Sequence, residues 1–192
     1  TLDAFEAARE ANGERDNRHQ ICHLELIHPD DLPRFAQLNV SATVQPFWGY
    51  EDQYKPFMRK ALGEERMKRD FQLGSIHRAG ARLTPGSDWF VTSLNPIDGI
   101  AVGVRRMHPQ LADDEAREYY PQEKVDVATM VAAYTINGAY ASHKDHCLGS
   151  LEVGKCADLI VLDQNLFEIS AADIGKTKVE LTVMNGRDIF RI

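Results

Sequence analysis

The chain has 192 residues, of which 43% are hydrophobic and 27% charged, and its formal net charge is −7. This composition is typical of a folded globular protein with room for one domain, or one domain and a small addition. The negative charge argues against a nucleic-acid or anionic-membrane surface, and no apolar run approaches the roughly 20 residues of a membrane span.

The first third of the chain alternates between helix and strand patterns. Residues 1–12 place apolar side chains on one helical face and stop before Gly13, which predicts an amphipathic helix. Residues 19–25 are predicted as a buried strand, and residues 29–38, which begin with a proline and two acids, as a helix. A second strand is predicted at residues 40–45. Strand, helix and strand therefore fit within about 30 residues, the size of a βαβ unit.

The middle of the chain repeats this alternation. Residues 51–80 have a helical pattern, and residues 81–84 read as a third short strand. Two further helices are predicted at residues 97–107 and 124–142. Strands followed by helices indicate a parallel α/β arrangement.

The end of the chain has a different pattern. Residues 151–162 and 178–184 are predicted as strands, and Asn185-Gly186 is a hairpin signal that leads into a last strand at 187–192. We expect these strands to form a small β unit beside the α/β part.

The three cysteines are Cys22, Cys147 and Cys156, and they form no C-x-x-C pair. An odd and sparse set fits a reducing compartment better than a disulfide framework. We therefore expect a cytoplasmic protein in which Cys22 and Cys156 are buried as small hydrophobic residues.

The stretch from Ala81 to Trp89 (ARLTPGSDW) is the strongest candidate for a functional site. The predicted strand stops at a Pro-Gly pair, and Ser87 and Asp88 follow. In an α/β barrel, residues just past the carboxyl end of a strand face the active site. A carboxylate there can bind a metal or take a proton from metal-bound water. The alternative is that Ser87 or Asp88 only caps the next turn.

Several stretches together resemble a known family. His23 near the end of the first strand, Gln45 after the second, and GSDW at 86–89 resemble, in this order, the C-terminal half of amidohydrolase-superfamily enzymes. The closest group is amidohydrolase family 3, the YtcJ-like metal-dependent hydrolases. Residues 149–163 (GSLEVGKCADLIVLD) resemble the segment that begins the composite β-sandwich of these proteins, and residues 182–187 (TVMNGR) resemble their closing strand pair.

The resemblance implies the C-terminal part of a (β/α)8 TIM barrel, with about three strands in residues 1–148. Residues 149–192 would be strands of the β-sandwich. The strand before His23 would be the sixth of the barrel, and residues 81–88 would form the eighth. The ligands that the family carries on its first, fourth and fifth strands would then lie outside this chain.

The resemblance also implies a metal-dependent hydrolase of C–N bonds in small amide, formamide or cyclic amide substrates. His23 would be a metal ligand, Asp88 a catalytic acid–base associated with the metal, and the cofactor one or two Zn²⁺ ions. A catalytic zinc normally has three protein ligands. This chain alone is therefore expected to be inactive, and it need not hold the metal by itself.

Gln45, Trp48 and Trp89 are candidate substrate-binding residues, because pockets favour aromatic walls with a few polar groups. Strand termination explains Gln45 equally well, and packing under a loop explains Trp48 equally well. The alternative function is a catalytically inactive interaction piece that needs another chain to complete its barrel, since unpaired strand edges recruit partners. The expected partners are a small amide-type substrate and either further copies of the chain or the missing N-terminal portion, with no nucleic acid and no membrane.

Overall fold

Three stretches of chain run side by side in parallel in this structure, which is a computed structural model. It describes residues 1–112, 114–115 and 117–192. β1 (Gln20–Cys22) pairs in parallel with β2 (Ser41–Thr43). The 81–84 segment joins the other edge of β2 through a parallel bridge between Ala42 and Leu83. The parallel order predicted for these three stretches is confirmed.

Helices surround this small sheet. They are α1 (Leu2–Asn12), α2 (Leu32–Gln37), α3 (Lys55–Leu62), α4 (Glu64–Met67), α5 (Leu73–Arg78), α6 (Pro96–Arg105), α7 (Val127–Ala132) and α8 (Gly138–Ala141). A π-helical turn at Ala133–Asn137 joins the last two, so the long helix predicted at 124–142 is nearly continuous. Shorter 3-10 turns occur at Pro29–Asp31, Pro46–Trp48, Pro121–Glu123 and Ala171–Lys176.

In the described ranges, none of the helices combines the length and the apolar character that crossing a membrane requires.

The apolar core lies between the sheet and the helices. Ala42 and Leu83 project into it beside Phe35 and Ile76, and each of these four residues is at most 2% exposed. Successive side chains of a strand point to opposite faces. The opposite face of the sheet is polar, as the 2.8 Å hydrogen bond between the Thr43 and Thr84 hydroxyls shows.

A second sheet follows near the end of the chain. β3 (Leu159–Leu162), β4 (Val179–Met184) and β5 (Arg187–Arg191) are antiparallel, in the order β3-β4-β5. The predicted hairpin is confirmed. Its turn residues Asn185 and Gly186 have φ angles of 50° and 73°, and the Asp158 carboxylate accepts a 2.6 Å hydrogen bond from the Asn185 backbone N–H.

Several strands are shorter than predicted. β1 ends at Cys22 because His23 adopts a left-handed φ of 58°, which a strand cannot continue. β2 ends before Pro46, where a 3-10 turn begins. The prediction of a strand at 151–158 is wrong, because Gly154 has a φ of 96° and the chain turns there.

The prediction that two cysteines are buried is also wrong. Cys22 and Cys156 are both exposed, and Cys147 is half-buried. Cys22 lies two positions from Gln20 in β1, so it shares the polar face of the sheet rather than the face that meets the helices.

Candidate active site

The carboxyl ends of the three parallel stretches lie next to one another. The backbone N–H of His23 donates to the Thr43 carbonyl at 3.2 Å, which extends the ladder between β1 and β2. From the other side, the Gly86 N–H donates to the Val44 carbonyl at 2.9 Å. β2 therefore stands between the segment that carries His23 and the segment that leads to Asp88.

His23 is exposed, and its ring stacks against the indole of Trp48. The ring centroids are 5.8 Å apart and the planes differ by 13°. Trp48 also makes an edge-on contact with the ring of Phe71, at 6.0 Å and 77°. The imidazole is thus supported on one face by an aromatic wall, which restricts its orientation while leaving it open to solvent.

Asp88 opens a turn and is exposed, with a left-handed φ of 51°. Its carbonyl accepts a 2.7 Å hydrogen bond from the Val91 N–H. The Ser87 hydroxyl accepts from the Trp89 N–H at 3.2 Å, and the Ser87 carbonyl accepts from the Thr92 hydroxyl. Side-chain capping of this turn is therefore done by Ser87, which leaves the Asp88 carboxylate facing solvent.

Gln45 is buried, with 4% of its surface exposed, directly after Val44. Its backbone carbonyl accepts from the Trp48 N–H at 3.1 Å, as expected where a strand gives way to a turn. Its side-chain Oε1, however, is buried and has no hydrogen-bond partner among the described residues. An unpaired buried acceptor costs about 1–3 kcal/mol. The Gln45 Oε1 atom could therefore accept a hydrogen bond from a donor outside the described residues.

An open cleft of about 800 Å³ lies beside Trp48. Aromatic side chains dominate its wall, together with three charged groups. The lining residues are Glu25, Phe47, Trp48, Tyr50, Asp52, Gln53, Tyr54, Lys55, Met58, Phe71, Val91 and Thr92. The candidate Trp89 is not among them; it is 61% exposed and meets Phe90 edge-on.

A buried ion pair lies behind this cleft and was not foreseen from the sequence. Lys55 Nζ lies 2.8 Å from Asp70 Oδ2, and the Tyr119 hydroxyl donates to the same oxygen at 2.7 Å. The Lys55 ammonium also lies 4.4 Å from the centre of the Phe71 ring. Burial, followed by the bond to Asp70, raises the pKa of Tyr119 well above its usual range.

Arg106 connects the backbone segments around this ion pair. Its guanidinium is fully buried and donates to three main-chain carbonyls, those of Tyr119 (3.0 Å), Phe71 (3.0 Å) and Asp70 (3.3 Å). Burial lowers the pKa of Arg106 to about 10, so the group stays charged at neutral pH. A Cβ at Gly49 would overlap the guanidinium, which explains why this position carries no side chain.

The donor set for a metal is incomplete in this part of the protein. No group of three or more His, Cys, Asp or Glu side chains within residues 1–112, 114–115 and 117–192 could hold a metal ion. His23 and Asp88 offer an imidazole and a carboxylate, which are donors that Zn²⁺ accepts. Because a catalytic zinc needs three protein ligands, the described residues do not form a zinc site by themselves.

Comparison with known proteins gives relatives for nearly the whole chain. A sequence profile described as "Amidohydrolase family" matches residues 1–190. The protein named LONG AFTER FAR-RED 3 from Arabidopsis thaliana is 35% identical over 190 residues, which are 98% of this chain and 31% of that protein. An N-substituted formamide deformylase from Arthrobacter pascens is 27% identical over 187 residues, 96% of this chain and 33% of the deformylase.

A solved structure has a similar fold. An uncharacterized metal-dependent hydrolase from Pyrococcus furiosus superposes with a TM-score of 0.62 at 25% identity, over 80% of this chain and 28% of that one. The chain spans about a third of the length of the curated relatives that it matches.

Proposed function

Because the chain belongs to the amidohydrolase family, as its sequence motifs predicted, we propose that it forms part of a metal-dependent hydrolase of C–N bonds. The substrates would be small amides, formamides or cyclic amides. The observation that carries the proposal is the parallel register that brings together the carboxyl ends of β1, β2 and the 81–84 segment, with His23 and Asp88 on either side of β2. The deformylase relative supports C–N chemistry through its name.

Asp88 is the proposed general acid–base. Its exposed carboxylate stands at the start of a turn that Ser87 caps, so it remains free for chemistry. A carboxylate in this position takes a proton from the attacking water and delivers it to the leaving amine. Gln45 is proposed to hold the substrate through its unpaired Oε1, Trp48 through its ring, and Trp89 through its exposed indole, which follows Asp88 in the chain.

His23 is the proposed metal ligand, oriented by its contact with Trp48. The proposed metal is Zn²⁺, one or two ions, which when bound would acidify a water and polarise the substrate. The remaining ligands are proposed to come from a stretch of protein outside the described residues. This chain alone is accordingly proposed to be inactive.

The domain organisation that we propose follows from the same family membership. Residues 1–148 would contribute about three strands to a (β/α)8 barrel, and residues 149–192 would contribute strands to a β-sandwich beside it. The complete unit would be a homo-oligomer or an assembly with an N-terminal portion. Three cysteines without a disulfide among them favour a cytoplasmic setting.

A second candidate is a catalytically inactive piece that acts by association. The observation that favours it is the edge of β1 that faces away from β2, with which no strand in the described part of the chain pairs. Unpaired edges recruit further strands. The corresponding edge of the 81–84 segment is partly covered, since the Asn137 side chain donates to the Leu83 carbonyl at 3.0 Å.

The test is amide hydrolysis by the chain alone and by the chain co-produced with the coding region that precedes it. We expect turnover only in the second case, and a loss of about 10²–10⁴-fold with Asp88→Asn. Asn tolerates the left-handed backbone of position 88, so the fold should survive. Equal turnover by the co-produced protein and its D88N variant would refute the role of Asp88, and no turnover in any sample would favour association alone.

A further inference from the structure

The cleft beside His23 has a wall suited to one kind of substituent. Resting on the proposed function and deepening it, we propose that the substrate amide carries a neutral or cationic aromatic group that occupies this cleft. Amides whose aromatic group bears a carboxylate would be rejected. Neither preference belongs to amidohydrolase chemistry in general, because pocket chemistry differs among proteins that share a fold.

The wall offers aromatic rings in several orientations. Phe47 and Tyr50 meet edge-on at 5.7 Å and 86°, and Trp48 and Phe71 meet at 6.0 Å and 77°. Perpendicular pairs expose both ring faces and ring edges, to which a further ring can pack face-on or edge-on. Tyr54, at the same cleft, is 64% exposed, so its apolar surface is left uncovered by the chain.

Two residues of the cleft wall contact the proposed catalytic residues His23 and Asp88. On one side, Trp48 contacts the His23 ring as well as the Phe71 ring. On the other, Val91 lines the cleft and its N–H binds the Asp88 carbonyl. A substrate whose amide sits at the strand ends therefore has this wall within reach of its substituent.

The charges of the wall exclude an anion. Lys55 is the cation in the lining, but its side chain is 2% exposed and its ammonium is held by Asp70 at 2.8 Å. Glu25 and Asp52 are acidic residues of the same lining, and the Asp52 carboxylate accepts hydrogen bonds from the backbone N–H groups of Tyr54 and Lys55 at 2.8 and 3.2 Å. An anionic substituent would meet two like charges and no free ammonium from this wall, whereas a protonated amine would be attracted by both carboxylates and ring faces.

Binding can be measured on this chain without metal or turnover. The chain has two tryptophans, so Trp89→Phe leaves Trp48 as the only indole reporter and keeps an aromatic ring at position 89. Fluorescence titrations at neutral pH would compare N-benzylacetamide with N-butylacetamide, and N-(para-carbamoylbenzyl)acetamide with N-(para-carboxybenzyl)acetamide, which is the matched anion. We expect the benzyl amide to bind about tenfold more tightly than the butyl amide. The anion should bind at least about fivefold more weakly than its neutral amide.

Matched variants locate the effect. Met58→Ala alters the lining and should weaken benzyl binding severalfold, whereas Phe57→Ala, on the same helix but 75% exposed and outside the lining, should leave it unchanged. Glu25→Gln should reduce the difference in binding affinity between the anion and its neutral amide. Far-UV circular dichroism confirms that each variant is folded.

Equal affinities for the benzyl and butyl amides, absence of binding, or tighter binding of the anion would each overturn the inference. Those results would leave the hydrolase proposal standing, because the titrations involve neither metal nor turnover. Conversely, a chain that binds benzyl amides while its co-produced form hydrolyses nothing would remove the proposed function and keep the aromatic site.

Discussion

Lys55 and Asp70 form an ion pair of 2.8 Å in which both side chains are at most 2% exposed. Removing one partner of such a pair leaves the other charged and buried, which typically costs about 3–5 kcal/mol. Lys55→Met and Asp70→Leu alone should each lower the free energy of unfolding by that amount. The double variant should recover part of the loss, because it leaves no unpaired charge.

Urea denaturation of the unmodified protein, the two single variants and the double variant completes a double-mutant cycle. A coupling below about 0.5 kcal/mol would contradict the expected dependence of one side chain on the other. Lys68→Met supplies the surface control, since Lys68 pairs with Glu65 in solvent and such exposed pairs contribute little to stability.

Substitution of Arg106 should destabilise the fold by a similar amount, for a different reason. Arg106→Met removes a donor from each of three carbonyls. The Phe71 carbonyl keeps its 2.8 Å bond from the Leu73 N–H, and each buried carbonyl that is left unpaired costs about 1–3 kcal/mol. We expect a destabilisation of about 3 kcal/mol or more in thermal or chemical unfolding. Arg106→Lys should rescue little, because an ammonium cannot reach three separate acceptors with the geometry of a planar guanidinium. A fully stable R106K protein would show that the charge alone is sufficient.

The stabilisation that the Asp126 carboxylate contributes to the fold should depend on pH. Its carboxylate accepts a 2.6 Å hydrogen bond from the Thr129 N–H at the start of α7, and this bond lowers the pKa of Asp126. Because the folded pKa is lower than the unfolded one, the stabilisation is present above the ordinary Asp pKa of about 3.9 and is lost as the pH falls through the folded pKa.

Asp126→Ala should therefore cost about 1 kcal/mol near neutral pH, and this cost should shrink below about pH 4. Asp126→Asn keeps a capping oxygen without the charge and should cost less at neutral pH. Unfolding curves measured between pH 3 and 7, as an approximate range around that titration, test both statements. A cost of Asp126→Ala that stays constant over this range would disprove the link to ionisation.

His23 can be tested through metal content. In the co-produced assembly, His23→Asn should lower bound zinc severalfold in elemental analysis, and Asn suits the left-handed φ of 58° at this position. His77→Asn is the matched control, because His77 is an exposed helical residue away from the strand ends. Unchanged zinc in the H23N protein would remove His23 from the ligand set.

The sequence predicted well what local signals determine. The end of α1 at a glycine and the hairpin at Asn185-Gly186 depend on backbone preferences of a few adjacent residues, and both occur as predicted. His23, Gln45 and Asp88 were expected to follow the carboxyl ends of parallel strands, and the structure has them there. Whether these side chains share a metal remains a prediction.

What the sequence did not reveal depends on distant contacts. Lys55, Asp70 and Tyr119 are separated by 15 and 49 positions, and nothing near any of them marks it as a buried partner. Cys22 was expected inside because its residue type is usually buried, yet burial depends on which face of β1 it takes and on what covers that face. Met58 lines the cleft together with residues of the 47–50 segment, and no periodicity in the sequence encodes this arrangement.

Among the described residues, the hydrogen bonds of the Arg106 guanidinium all end on main-chain oxygens. The side chain at position 71 can therefore be exchanged during evolution without breaking any of the three, and the frame behind the cleft would persist through such a change. A lineage of such proteins could shift its preferred ligand by altering wall residues one at a time, with the supporting scaffold inherited intact.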